Sequence, residues 1–290
     1  MIEYSKQSSL QSYRRNIRNG VKDCTQNKEQ ANCFSEQQIS SGISQKQAQL
    51  CYLSIHSNMS PVINVITRNQ SLICPLVPFD AARDKVVRLD LTSNNKDLTE
   101  EIVTDTIAFS TYIDTVRSVK GARYLFGGYN EHRMVYSRSE LFLSGTDGID
   151  EPRCIHLGVD IWGPAGTPVF APLGGMVHSF AFNDHFGDYG ATIILSHQLE
   201  GVSFYTLYGH LSLADLSMLS EGQYISAGSP LAHFGVPKEN GHWPPHLHFQ
   251  VITDIGVSKG DYPGVCRVSE REKYLANSPD PSMLINFNDH

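Results

Sequence analysis

The sequence predicts a mainly β protein: a compact antiparallel β-sheet domain carrying a partly helical or disordered N-terminal extension. Three observations carry that expectation. Between Thr167 and Ile252, short β-branched or aromatic runs alternate with Gly, Pro, Asn and Asp at hairpin-like spacing. Thirteen Phe, thirteen Tyr and 23 Gly among 290 residues favour sheets and turns over a helical bundle. Only Asp97 to Val119, DLTEEIVTDTIAFSTYIDTVRSV, has a sustained helical period.

Residues 1–75 form the extension. The first 60 or so are rich in Gln, Ser and Asn and lack a sustained apolar period, with weak helix expected around Glu36–Leu53. PVINVIT and LICPLVPF, between Pro61 and Leu91, read as short β-type runs broken by proline. Residues 76–120 connect to the main domain through one amphipathic helix. Asp97 caps it, Glu100 stands three residues on as in a capping box, and Leu98, Ile102, Phe109, Ile113 and Val116 share a face. The main domain is expected over 121–265, built from runs such as TPVFAP, GGMVHSFAF, GATIILSH, VSFYTLYGHL and HLHFQVI, with a tail over 266–290.

Composition narrows the partners. A net charge of -7 with scattered Lys and Arg excludes nucleic acid as the main partner. No segment approaches the roughly 20 apolar residues of a membrane helix. The N-terminus has no apolar core after its charges, so the expected location is cytoplasmic, with export by another route left open. Six cysteines form no CxxC pair and read as reduced thiols; in an oxidising compartment Cys24 with Cys33, or Cys154 with Cys266, become possible pairs. The oligomeric state is not legible.

Nine of the twelve histidines fall between positions 156 and 248. Three stretches concentrate the chemistry: HLGVD (His156, Asp160), YGHL (His210) and HLH (His246, His248). Side chains on a strand alternate faces, so His246 and His248 share one face and Leu247 takes the other. Two histidines and an aspartate are a sound three-ligand set for Zn²⁺ with the fourth position open. HExxH is absent, and no cysteine has finger-like spacing. The residues alone leave open which of His246 and His248 binds the metal and which moves protons. His210, after a strongly β run, is expected on the same face as a second proton carrier. His178, His197 and His233 read as packing residues within strands, and His185 as part of a solvated turn. His197 and His242 are also candidates to line the cleft or to hold a ligand ring in place.

In this order, HxxxD, Tyr-Gly-His-Leu and His-Leu-His-Phe resemble the M23 family of zinc metallopeptidases, which includes lysostaphin-like and LytM-like enzymes that cut bacterial cell-wall peptides. GTPVFAPLGGMVHSF and YGATIILSH are similar to further family segments, and the likeness covers roughly 121–254. The resemblance implies an M23-type fold over 121–265, with His156, Asp160 and His248 as Zn²⁺ ligands. It also implies that His246 and His210 assist the water and stabilise the tetrahedral intermediate. Asp160 as a ligand rather than a base rests mainly on it. The implied activity is endopeptidase hydrolysis of a small peptide or peptidoglycan-type cross-bridge. The sequence departs from the family at ENGHWPPHLHF, at Gln250 where Glu is frequent, and at GGYNEHRMVYSRSELF, which has no assignable counterpart. For the tyrosine that aids the oxyanion in some relatives, Tyr129 and Tyr189 are the candidates. The rival readings are a non-catalytic module on the same fold and a cytosolic metal-dependent amidase.

Overall fold

The structure is a computed structural model that describes residues 60–143, 148–285 and 287. The expected helix at 36–53, and most of the 1–75 extension, lie outside the described residues.

The first described element corrects the sequence reading. Pro61–Arg68 is a helix, α1, not a β-type run. Pro61 at the first helical position has the right φ already set, and Val62, Val65 and Ile66 fall on one buried face. Burial of that i, i+3, i+4 stripe in the core outweighs the β preference of Val and Ile. LICPLVPF likewise forms no strand; the first strand, β1, is Val86–Arg88.

The long amphipathic stretch is also corrected. It splits into α2, Glu100–Thr104, and α3, Thr106–Val119. Asp97 is not the cap: Thr99 accepts from the Ile102 N–H, and Asp105 accepts from the Ala108 N–H. A capping side chain inside the pattern satisfies orphan donors by starting a new helix. The shared face survives the break, because Val103, Phe109 and Ile113 are buried together with Leu98, Ile102 and Val116 packed alongside. Replacing Asp105 by Ala is expected to cost about 1 kcal/mol and roughly 2–4 °C of Tm, read by thermal denaturation. An unchanged Tm would show that the break does not depend on this cap.

Beyond it come β2 (Tyr124–Gly127), β3 (Arg153–His156), β4 (Val159–Trp162), β5 (Pro168–Phe170), β6 (Gly175–Asn183), β7 (Gly190–Leu199) and β8 (Val202–Leu211). One helical turn, α4 (Leu213–Leu216), then interrupts the β pattern. After it follow β9 (Tyr224–Ile225), β10 (Pro230–His233), β11 (His246–Ile252), β12 (Val265–Arg267) and a further α-helix, α5 (Arg271–Asn277). Eight strands form one sheet in the order β1-β2-β4-β11-β8-β7-β6-β9, antiparallel except for the β1–β2 pair. Two further ribbons pair β5 with β10 and β3 with β12.

This order places β11 at the centre, between β4 and β8. Its alternation is satisfied on both faces. Leu247, Phe249 and Val251 enter the main core with Phe204, Tyr208 and Ile193, while His246, His248 and Gln250 occupy the other face, also buried. Among the described residues no helix is long and apolar enough to cross a membrane.

Candidate active site

Strand register assembles the site. His248 stands opposite Asp160 of β4 on one side and Gly209 of β8 on the other, and His246 stands opposite Trp162. Residues opposite one another on antiparallel strands share a face, so Asp160, His246 and His248 converge by pairing alone. His156 comes in from the end of β3. The tight link at Gly158 is required there, because a Cβ at that position would lie 2.6 Å from the His248 ring. His210 follows Gly209 with φ of 63°, a left-handed conformation costly for a residue with a side chain. Two backbone bonds hold it so, from its N–H to Tyr189 O and to its carbonyl from Gly235 N.

Three donor atoms meet at one point. His156 Nε2 is 2.9 Å from His248 Nδ1 and 3.3 Å from Asp160 Oδ1, and His248 Nδ1 is 3.2 Å from Asp160 Oδ1. Ligands at the usual zinc–nitrogen distance on a tetrahedron are about 3.3 Å apart, so the spacing suits a tetrahedral ion. Protonation states reinforce this fit. His156 Nδ1 donates to Gly128 O at 3.1 Å, which leaves Nε2 a bare lone pair. Gln250 donates its amide to Pro263 O and Ser278 Oγ, so its Oε1 faces His248 Nε2 at 3.0 Å and accepts from it. In the neutral ring that bond leaves the lone pair on His248 Nδ1. Two lone pairs and a carboxylate oxygen face each other with no proton between them, an arrangement that calls for a cation. Among the described residues, His156, Asp160 and His248 are the group of three donors that could hold a metal.

Charge is balanced behind the donors. Asp160 Oδ2 accepts from Arg133 at 2.5 Å, and Arg133 Nε donates to Glu131 at 2.8 Å, all three side chains being buried. Against the cost of burial, the buried Arg133 guanidinium beside it holds Asp160 well below the usual carboxylate range. Burial pushes His156 down to about 3 and His246 to about 4, and it also pushes His210 well below its ordinary value. All three are neutral at pH 7.

The two remaining histidines lie beside the donors. His246 donates Nδ1–H to Pro244 O at 2.7 Å and stacks on Trp162 at 3.8 Å. His210 donates Nδ1–H to Asn240 O at 2.8 Å and stacks on His246 at 4.1 Å. Each therefore keeps Nε2 as a lone pair, and that of His246 is 4.0 Å from Asp160 Oδ1. All five residues line one cleft of about 290 Å³.

Other sequence candidates fall elsewhere. His197 is buried between Gly174 O and Thr206 Oγ1 and stacks on Phe204. His178 bonds Ser179, His233 bonds Asp215, and His185 and His242 are exposed. Tyr129 donates to Ser278 O, whereas Tyr189 lines the cleft with its hydroxyl 3.4 Å from His248 Nε2. Sequence reasoning missed Arg133, Tyr136 and Gln250. Arg133 and Tyr136 both lie in the GGYNEHRMVYSRSELF departure, and Gln250 follows HLH by two residues on the same strand face.

These buried neutral histidines set an acid limit. His156, His246 and His197, which burial also pushes to about 4, have folded values below the ordinary 6.5. As pH falls below about 6.5 the unfolded chain takes up protons that the fold refuses, at up to about 1.4 kcal/mol per group per pH unit. Asp160 acts in the same direction at lower pH, since its stabilisation is lost as pH falls through its depressed value. The Tm of zinc-free protein is expected to be level above pH 7 and to drop steadily from pH 6.5 to 4. A level Tm across that range would mean the rings are not buried and neutral.

Comparison with known proteins follows the same residues. Residues 154–259 match the model for peptidase family M23. A DD-carboxypeptidase/endopeptidase, Mpg, of Neisseria meningitidis serogroup B is 33% identical over 125 residues, 43% of this chain and 26% of that protein. The chain thus spans about a quarter of the length of the curated relatives it matches. Among solved structures, the catalytic domain of lysostaphin from Staphylococcus simulans has a TM-score of 0.32 at 21% identity, covering 57% of this chain and 97% of that one. A zinc-containing peptidase from Vibrio cholerae has a TM-score of 0.28 at 24% identity, covering 39% and 34%.

Proposed function

We propose, from the premise that residues 154–259 are a peptidase family M23 domain, that this chain is a zinc-dependent peptidase acting on a small peptide or a peptidoglycan-type cross-bridge. The observation that carries the reading is the meeting of three donor atoms, His156 Nε2, Asp160 Oδ1 and His248 Nδ1, in a cleft also lined by His246 and His210. Two imidazoles and one carboxylate at tetrahedral spacing suit zinc better than the oxygen-seeking calcium or magnesium. A zinc ion held there supplies Lewis acidity, polarising a carbonyl and making water acidic near neutral pH.

The chain's own side chains do the rest. Arg133 fixes Asp160 through Oδ2, so that Oδ1 stays turned to the donors. Hydrolysis joins the water oxygen to the carbonyl carbon, breaks the carbon–nitrogen bond, and leaves a carboxylate and an amine. His246 Nε2, unprotonated and beside the donors, takes the proton from the attacking water and passes it to the departing nitrogen. His210 lies stacked on His246, and a proton on either ring raises the cost of one on the other. The pair therefore carries one proton at a time, and the ring that holds it donates a hydrogen bond to the developing oxyanion before the proton passes to the departing nitrogen. Trp162 beneath His246 fixes the ring plane.

Chelation tests the reading. Zinc-free protein is expected to lose hydrolysis of a responsive peptide or muropeptide by at least about 100-fold, and equimolar zinc to restore it. Full zinc loading with no hydrolysis across a broad panel of peptides and muropeptides would contradict it and favour the non-catalytic module.

A further inference from the structure

The shape of the cleft bears on which part of a substrate chain it takes, a question resting on the peptidase reading above. The segment from Val135 to Phe142 crosses the face that carries the five polar residues. Ser139 Oγ donates to Phe186 O at 2.5 Å, on the turn between β6 and β7. Arg138 lies over the rings of Trp243 at 4.7 Å and Phe186 at 4.8 Å, and donates to Thr106. Contact with the turn is close enough that a Cβ on Gly187 would lie 2.5 Å from the Ser139 Cβ. The strap is thus fastened to the far wall, with Tyr136 and Phe142 facing the cleft beneath it.

Exposure locates the opening. Among the described residues lining the cleft, those that keep exposure are Leu141, Arg153, Asp188, Asp261, Tyr262 and Pro263. They lie together: Arg153 donates to Leu141 O, the charges of Arg153, Asp188 and Asp261 act on one another, and Tyr262 and Pro263 follow Asp261. Every other lining residue is buried, and His156, Asp160, His210, His246 and His248 are between 1% and 6% exposed. Among the described residues, the exposed part of the lining thus gathers on one side of the cleft, and the opposite part is walled by buried side chains. The cleft volume of about 290 Å³ also lies at the low limit of ligand pockets, roughly 300–1,000 Å³.

We infer that, of the two substrates proposed above, this cleft takes the small peptide or the free end of a peptide chain, and excludes an intact cross-bridge that must continue past the scissile bond in both directions. A through-running chain needs two exits, and the strap from Val135 to Phe142 closes one of them. The strap, with Arg138 as its fastening, is the element that sets this specificity.

The test is binding of three phosphinic peptides to zinc-loaded protein: one with residues on the N-terminal side of the phosphinate, one with residues on the C-terminal side, and one extended on both. The tighter one-sided compound is expected to bind at least about tenfold more strongly than the two-sided one. In Arg138→Ala, checked for equal zinc content, that ratio is expected to fall by at least about fivefold as the strap loosens. A two-sided compound within about tenfold of the better one-sided one on wild-type protein would overturn the inference while leaving the peptidase reading intact. Zinc content near zero, with none of the three bound, would remove the peptidase reading and this inference with it.

Discussion

Replacing His248 by alanine is expected to abolish zinc binding, whereas replacing His246 by alanine leaves zinc bound and removes turnover. The two rings are one residue apart on the same face of β11, yet their hydrogen bonds give them different work. His248 Nε2–H is fixed on Gln250, and its bare Nδ1 meets His156 and Asp160. Without it only two donors remain, and zinc affinity should fall by more than the roughly 10–100-fold typical of losing a mere supporting partner. His246 is fixed on Pro244, and its Nε2 stands 4.0 Å from Asp160, beside the donors. Losing a proton carrier there should lower kcat by about 10²–10⁴ with zinc content unchanged. Elemental analysis and single-turnover hydrolysis read the two quantities separately. The opposite pattern, zinc lost in His246→Ala and kept in His248→Ala, would exchange the two roles.

Arg133→Met is expected to be the most destabilising single change around the site in zinc-free protein. It leaves Asp160 and Glu131 buried without their shared cation. Breaking a buried ion pair from one side costs about 3–5 kcal/mol, a fall in Tm of roughly 6–20 °C for a domain of this size. Saturating zinc should recover part of the loss by placing positive charge beside Asp160. Removing the second carboxylate as well, in Arg133→Met with Glu131→Gln, should also recover part, because one buried charge then disappears. Differential scanning calorimetry of the single and double variants, with and without zinc, checks all of this. A Tm within about 2 °C of wild type for the single variant would show that the triad does not hold charge in balance.

Much of this architecture was legible because strands and metal chemistry both write short-range patterns. Period two put His246 and His248 on one face and Leu247 on the other, and β-branched runs between turn residues marked β6, β7, β8 and β11. HLGVD, YGHL and HLH crowd imidazoles and a carboxylate into short stretches; each alone fits packing at least as well, and only the three in this order point to metal chemistry. What escaped was set at long range or by competing local signals. Arg133 meets Asp160 across 27 residues, and nothing in NEHRM distinguishes a buried guanidinium from a surface one. The alternating apolar run PVINVIT fits a strand or a helix equally, and packing against the sheet decided for the helix α1. Asp105 sits inside an intact apolar stripe, so its role in ending one helix and starting the next shows only in the hydrogen bond to Ala108. The strap from Val135 to Phe142 has no periodicity of its own; its place over the cleft comes from Ser139, Arg138 and the aromatic rings they meet.

Everything proposed for the cleft requires His156, Asp160 and His248 to form one metal centre. Anomalous diffraction at the zinc edge from crystals of protein loaded with one equivalent of zinc tests this directly. The expected result is a single strong peak within about 2.0–2.2 Å of His156 Nε2, Asp160 Oδ1 and His248 Nδ1. A peak elsewhere on the chain, or none in the cleft at full occupancy of zinc in solution, would contradict it.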